Sequence, residues 1–275
     1  IFGGGGLSGE LLTDGHWLKY LPTGEELQYN SFIETSNCVS YGTLNCLETL
    51  FRRKILDTPQ WNEDYNDFSE RVLGIMADTK PPGNSPHVVA NALRKGGAVA
   101  QKYLTFDESI KTIDQYYSPK PLTKDLADKG QEFLVKWEFG HEWVTNLTPA
   151  TLKFTLQFSP LGIGVCAWKK RNGFYYKEKN DDDNHWVALV DFEEGKYWLV
   201  YDSYLADGTP LKKLEWNYPF ETTKRYSLSV SIIPIQKSFL EILKSYLAIL
   251  MSLFVKKNEV IINPEPIPEP VPEPP

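Results

Sequence analysis

Glu34-Thr35-Ser36-Asn37-Cys38-Val39-Ser40-Tyr41-Gly42-Thr43-Leu44-Asn45-Cys46-Leu47-Glu48 is the stretch around which the rest of this 275-residue chain is organised. From Cys38 onward, Tyr41, Leu44, Leu47, Leu50 and Phe51 recur at spacings of three and four. That period predicts a helix over residues 38–53, and Val39 and Cys46 widen its apolar face. A helix so apolar is expected to be buried. Gly42 inside it costs about 1 kcal/mol against Ala, so something large is expected to pack closely there. Cys38 stands at the helix N-terminus, where the positive end of the macrodipole favours a thiolate. A free cysteine is more often a small buried hydrophobe than a nucleophile, and this stretch alone leaves both readings open. Cys46, in mid-helix, and Cys166, within a predicted strand, read as core.

Outward from that helix, residues 1–30 are irregular, with Gly and Pro punctuation. Ser69 is read as the N-cap of a helix over 69–76, and residues 78–84 as a loop. Ser85 caps a further helix with Pro86 at its first position, and Gly96-Gly97 stops it. Residues 103–130 are mixed and interrupted by proline, and 129–137 reads as helical. The period then changes. Residues 162–169, 185–192, 197–204 and 226–235, rich in Val, Ile, Leu, Trp and Tyr, read as strands. A helix-rich first half followed by a strand-rich second half indicates an α+β fold in two lobes. After Pro234 an amphipathic segment covers 239–255, too short and too charged for a transmembrane span. The Pro-Glu repeat beyond it favours extended polyproline II, a spacer that points to a further domain downstream.

Composition is that of an ordinary globular protein, 41% hydrophobic and 24% charged, with 8 Trp, 15 Tyr and 14 Phe to fill a core. The net charge of -7 argues against a nucleic-acid partner, since no basic face accompanies it. Three cysteines make a poor disulfide framework and fit a reducing setting or a functional thiol. No secretory signal is read at the N-terminus, and the missing initiator Met points to a fragment or a processed form. A cytoplasmic or virion-associated location is the expectation.

The second candidate group is His185, which opens the strand Asn184-His185-Trp186-Val187-Ala188-Leu189-Val190. The next strand is Tyr197-Trp198-Leu199-Val200-Tyr201-Asp202-Ser203-Tyr204. With a hairpin turn between them, pairing 192 with 197, Val187 faces Asp202 and His185 lies two residues along on the same face. His185 and Asp202 become diagonal cross-strand neighbours, a distance that suits a carboxylate reaching an imidazole. A surface His and Asp on a hairpin read equally well from the pattern alone. A thiol gains reactivity when an imidazole takes its proton and a third group holds the imidazole. No metal or cofactor is called: His141-Glu142 lacks the second His of a zinc helix, and His16 and His87 have no ligand spacing. The run Asp181-Asp182-Asp183 lacks the Gly and the closing Glu of a calcium loop and reads as a solvated turn. Gly3-Gly4-Gly5-Gly6 has no following Lys for a phosphate loop. Asn146-Leu147-Thr148 is a glycosylation sequon, meaningful only in a secreted eukaryotic protein.

Cys38-Val39-Ser40-Tyr41-Gly42-Thr43-Leu44-Asn45-Cys46-Leu47-Glu48 resembles the nucleophile helix of papain-like cysteine peptidases, C-W-A-F-S-x-x-x-x-L-E. Phe68-Ser69-Glu70, the 159–165 stretch against G-P-V-x-V, the His185 strand against x-H-A-V-x-x-V-G-Y, and Tyr197–Tyr204 against Y-W-x-x-K-N-S-W follow in the family's order. The chain is also similar to papain-like proteins of phage and environmental sequence sets. The separation of Cys38 and His185 falls within the roughly 130–150 residues of papain-type enzymes. The resemblance implies a two-lobed fold, a helical lobe with a central Cys-bearing helix packed against an antiparallel sheet or barrel lobe. It implies a peptide-bond hydrolase with Cys38 as nucleophile, His185 as base, Asp202 where the family has Asn, and a protein or peptide substrate. The family's oxyanion Gln would fall at Phe32; Gln28 is the substitute candidate. The domain expected over 1–235 would carry the activity, followed by a helix over 236–257 and a Pro/Glu-rich linker over 258–275. Alternatives are an amidase or endopeptidase of peptidoglycan, and an inactive binding or virion protein that kept the fold.

Overall fold

The structure, a computed structural model, describes residues 12–22, 27–55, 66–206 and 208–231. The helix over 236–257 and the linker over 258–275 lie outside the described residues, as do residues 232–235 of the last predicted strand. Helix α1, Cys38–Lys54, is buried on every side from Val39 to Arg52. It packs against four strands of a sheet and against helices α2, Glu70–Met76, and α3, Pro86–Gly96. A helix without a solvent face must satisfy its polar side chains internally. Glu48 accepts from the Phe68 N–H at 2.8 Å, and Arg52 donates to the carbonyls of Tyr20 and Leu21. The large neighbour expected at Gly42 is Trp186: a Cβ there would lie 2.9 Å from the indole Cδ1 and 3.1 Å from the Trp186 carbonyl oxygen.

The caps fall where the sequence sets them. Ser69 Oγ accepts from Val72 N, Ser85 Oγ accepts from His87 N with Pro86 following, and Gly97 leaves the helix at φ 79°. Short helix α4, Ile113–Tyr116, and helix α5, Lys124–Lys136, follow. The helix expected over 129–137 therefore starts earlier and stops before Trp137, which opens strand β1, Trp137–Trp143. Helix α6, Pro149–Leu156, has the same cap chemistry as α3, with Thr148 accepting from Thr151 N and Pro149 after it. The hydroxyl of the sequon is thus a helix cap.

The remaining strands are β2, Leu161–Val165; β3, Lys169–Arg171; β4, Phe174–Tyr176; β5, His185–Glu193; β6, Tyr197–Ala206; β7, Thr209–Glu215; and β8, Thr223–Val230. With β1 they form one eight-stranded sheet in the order β1-β8-β2-β5-β6-β7-β4-β3. Every pairing is antiparallel except the short parallel contact of β4 with β7. The segment expected as one strand over 162–169 is two, β2 and β3, and the last strand lies earlier than 226–235.

The hairpin β5–β6 reaches its predicted result by a different route. At the turn Glu193 pairs with Tyr197, one residue off the expected 192–197 register. The loop is the three residues 194–196, with Gly195 at φ 74°. A bulge between Leu189 and Asp191 then absorbs one residue, so Ala188 pairs with Tyr201. His185 and Asp202, just beyond the last of these pairs, meet at 2.5 Å.

Candidate active site

Cys38 is the first residue of α1 and is half-buried, whereas Cys46 and Cys166 are buried. All three are free thiols. Burial, and then the charge of Glu48, push the Cys46 thiol well up, and burial pushes the Cys166 thiol up. Neither is poised to ionise. Cys38 instead opens on a cleft of about 580 Å³, which His185, Trp186, Trp143, Asp183 and Thr222 also line. The volume suits a ligand the size of a short peptide segment.

His185 begins β5 opposite Val165 of β2, at the edge of this cleft. Its Nε2 lies 2.5 Å from Asp202 Oδ1, and both side chains are almost wholly buried, 5% and 0% exposed. Cys38 stands close enough to the imidazole to favour its protonated form. With Nε2 on Asp202, Nδ1 is the nitrogen left to face the thiol. Burial presses the His185 pKa down. The charge and hydrogen bond of Asp202, followed by the influence of Cys38, outweigh burial and raise it to about 9. Burial likewise presses Asp202 up, and His185 and then Lys212 outweigh it, holding the carboxyl below its usual range. Tyr204 and Trp168 cover the imidazole, with ring centroids at 5.3 and 5.8 Å.

Gln28 is buried, but it is not among the residues that line the cleft. Its Nε2 donates to Glu34 Oε1 at 2.5 Å and to Tyr204 Oη at 3.0 Å, which occupies both amide hydrogens. Ser203 Oγ donates to its Oε1 at 2.6 Å. Gln28 in this state braces the end of β6 and holds no free donor for an oxyanion. Phe32, at the position where the resemblance has its Gln, is 53% exposed. The Asp181–Asp183 run is less solvated than expected: Asp181 bonds Lys169 at 2.8 Å, and Asp183 bonds Lys177 at 2.8 Å and Thr222 at 3.1 Å. Among the described residues no cluster of three or more His, Cys, Asp or Glu is disposed to hold a metal ion, and no helix is long and apolar enough to cross a membrane.

One residue at the site was missed from sequence. Lys212 on β7 places Nζ 2.7 Å from Asp202 Oδ2, and both side chains are 0% exposed. The only signal was the alternation Leu211-Lys212-Lys213-Leu214, in which a lysine reads as solvent-facing.

This architecture is the papain-like α+β fold of cysteine proteases, and solved structures of that class superpose on it. Procathepsin L 3 from the larval midgut of Tenebrio molitor gives a TM-score of 0.57 at 13% identity, over 81% of this chain and 71% of that one. The Carica candamarcensis cysteine protease CMS1MS2, solved with E-64, gives 0.54 at 14% identity, over 77% of this chain and 96% of that one. Bromelain from Ananas comosus, solved with the inhibitor E64, gives 0.53 at 13% identity, over 78% and 98%. No family model and no curated protein matches the chain. The resemblance to phage and environmental proteins finds no support in these comparisons.

Proposed function

We propose that the chain is a cysteine peptidase with Cys38 as nucleophile, His185 as acid and base, and Asp202 as the group that orients His185. The observation that carries this reading is the meeting of Cys38 and His185 on one open cleft, with His185 Nε2 held 2.5 Å from the buried Asp202. In the proposed reaction the Cys38 thiolate adds to a peptide carbonyl carbon, and the carbonyl electrons move to oxygen. The Cys38 backbone N–H stands as one oxyanion donor. The tetrahedral intermediate collapses as His185 gives its proton to the leaving amine nitrogen, which breaks the C–N bond and leaves a thioester. His185 then takes a proton from water as that water attacks the thioester, and the thiolate departs. A pKa near 9 keeps His185 protonated at neutral pH, the form in which it pairs with a thiolate.

A second reading, an inactive papain-fold binding protein, is favoured by one observation, the engagement of both Gln28 amide hydrogens. Iodoacetamide and E-64, the inhibitor held by two of the structural neighbours, separate the readings. A peptidase labels at Cys38 stoichiometrically, with a pH-dependent rate that Cys38→Ser abolishes and His185→Ala lowers to that of a free thiol. A wild-type Cys38 no faster than a small thiol refutes the peptidase.

A further inference from the structure

The Asp202 carboxylate is shared. One oxygen meets His185 Nε2 at 2.5 Å, and the other meets Lys212 Nζ at 2.7 Å. None of the three side chains is more than 5% exposed, so water does not screen the group. Lys212 donates to the Tyr204 carbonyl, and its Nζ lies 5.2 Å from the centre of the Trp168 ring, which itself stands edge-on to His185. Strand geometry explains the placement. Lys212 pairs with Val200, so it is a diagonal neighbour of Asp202 on the same face. The β6–β7 ladder is irregular between Tyr201 and Ala206, and the Tyr204 carbonyl in that stretch takes the lysine as its partner.

We propose that Lys212 is a positioning residue of this site: its buried ammonium fixes the far oxygen of Asp202, so that the near oxygen stays on His185 and the carboxylate stays charged. The proposal rests on the peptidase reading above, since it acts through His185. Its physical basis is charge balance. A buried carboxylate facing only an imidazole is incompletely compensated whenever that imidazole is neutral. With Lys212 present, Asp202 remains paired whether His185 carries its proton or has passed it to a leaving group. The other groups facing this pair are Cys38 from α1, Tyr204 on β6 itself and, through Tyr204, Glu34 from the segment before α1. Among these described residues none is a second cation.

The test is the pH profile of Cys38 alkylation by iodoacetamide in the full chain. In Lys212→Met the loss of a positive charge raises the pKa values of both Asp202 and His185, so both limbs of the profile move upward by about one pH unit. Lys212→Arg, which keeps the charge, holds the limbs near those of wild type. A lysine with a merely structural role would lower the amplitude without moving the limbs, and superimposable limbs overturn the proposal. Should Lys212→Met fail to fold, the double variant Asp202→Asn/Lys212→Met decides. It removes both charges, whereas Asp202→Asn alone strands a buried ammonium. The double variant is expected to alkylate about tenfold faster than Asp202→Asn, and a double variant no faster overturns the proposal. Fast wild-type alkylation with unmoved limbs defeats the role of Lys212 alone. A slow wild-type Cys38 defeats the peptidase reading and this role with it.

Discussion

The molecule buries a lysine beside a histidine in two places, and one carboxylate separates their behaviour. On β5–β7, Asp202 lies between His185 and Lys212, and the His185 pKa rises to about 9. On β1–β8, Lys224 Nζ lies 3.2 Å from His141 Nδ1 with no carboxylate between them. Burial, and then the charge of Lys224, lower His141 to about 4, and burial lowers Lys224 to about 8. The nearest acid in sequence, Glu142, faces the other side of its strand by alternation and bonds Arg225 at 2.8 Å. The same two residue types, both buried, therefore yield a charged imidazole in one place and a neutral one in the other. Burial beside a cation neutralises histidine, and a fixed anion between the two reverses the outcome.

The most damaging test of this contrast is Asp202→Asn, which keeps the shape of the first cluster and gives it the electrostatics of the second. His185 should then be neutral at pH 7, as His141 is. Iodoacetamide labelling of Cys38 at that pH should fall roughly 10²–10⁴-fold. Labelling within a few-fold of wild type breaks the comparison, because it would mean that the carboxylate does not set the state of His185.

A smaller effect appears in stability. The folded pKa of His185, about 9, lies above its unfolded value of about 6.5. The group binds its proton more tightly in the native state. Its contribution is complete below about pH 6.5 and is lost as pH rises through about 9, roughly 3 kcal/mol in all. Urea denaturation from pH 6 to 10 should show that decline in wild type and lack it in His185→Ala. Lys224 has the opposite sign. Its folded pKa is depressed, so the native state is penalised below about pH 8 and the penalty fades above it. Lys224→Met should therefore stabilise the protein at pH 7 by about 1–2 kcal/mol, the gain trimmed by loss of the ammonium's contact with Trp143, 3.7 Å from the ring centre. A destabilised Lys224→Met would show that the second cluster is compensated by something other than burial.

The contrast also explains what was legible in the sequence. The apolar period of α1, the Ser69 and Ser85 caps and the Val-rich strand β5 could be read because each is a local preference that the fold obeys. The His185–Asp202 pair was legible because two consecutive strands fix their own register, although an off-by-one turn and a bulge had to cancel for the expectation to hold. Lys212 and Lys224 were not legible. A lysine on a strand normally marks the solvent face, whereas here the ring of Trp168 lies over Lys212 and that of Trp143 over Lys224, from parts of the chain distant in sequence. Strand β1 was missed because Glu138 and Glu142 break its apolar pattern, its buried residues Phe139 and His141 being matched only by the distant β8. Helix α6 was readable and overlooked: Thr148-Pro149 repeats the signal of Ser85-Pro86.

The smallest expected effect concerns Gln28. Its amide hydrogens bond Glu34 and Tyr204, and its oxygen accepts from Ser203, so it secures the strand end that carries Asp202. Gln28→Ala should cost about 1 kcal/mol of stability and change Cys38 alkylation and peptide hydrolysis together, by no more than about threefold. An oxyanion donor would behave differently. Alkylation forms no oxyanion, so loss of a donor leaves it unchanged while hydrolysis falls by about 10²–10³. The ratio of the two rates in one variant thus decides between a brace and a donor, even if the variant is partly unfolded, because an inactive fraction lowers both rates equally. A split ratio would mean that Gln28 releases Glu34 or Tyr204 when substrate binds. A constant ratio leaves the Cys38 N–H as the oxyanion contact and keeps Gln28 in the scaffold of β6.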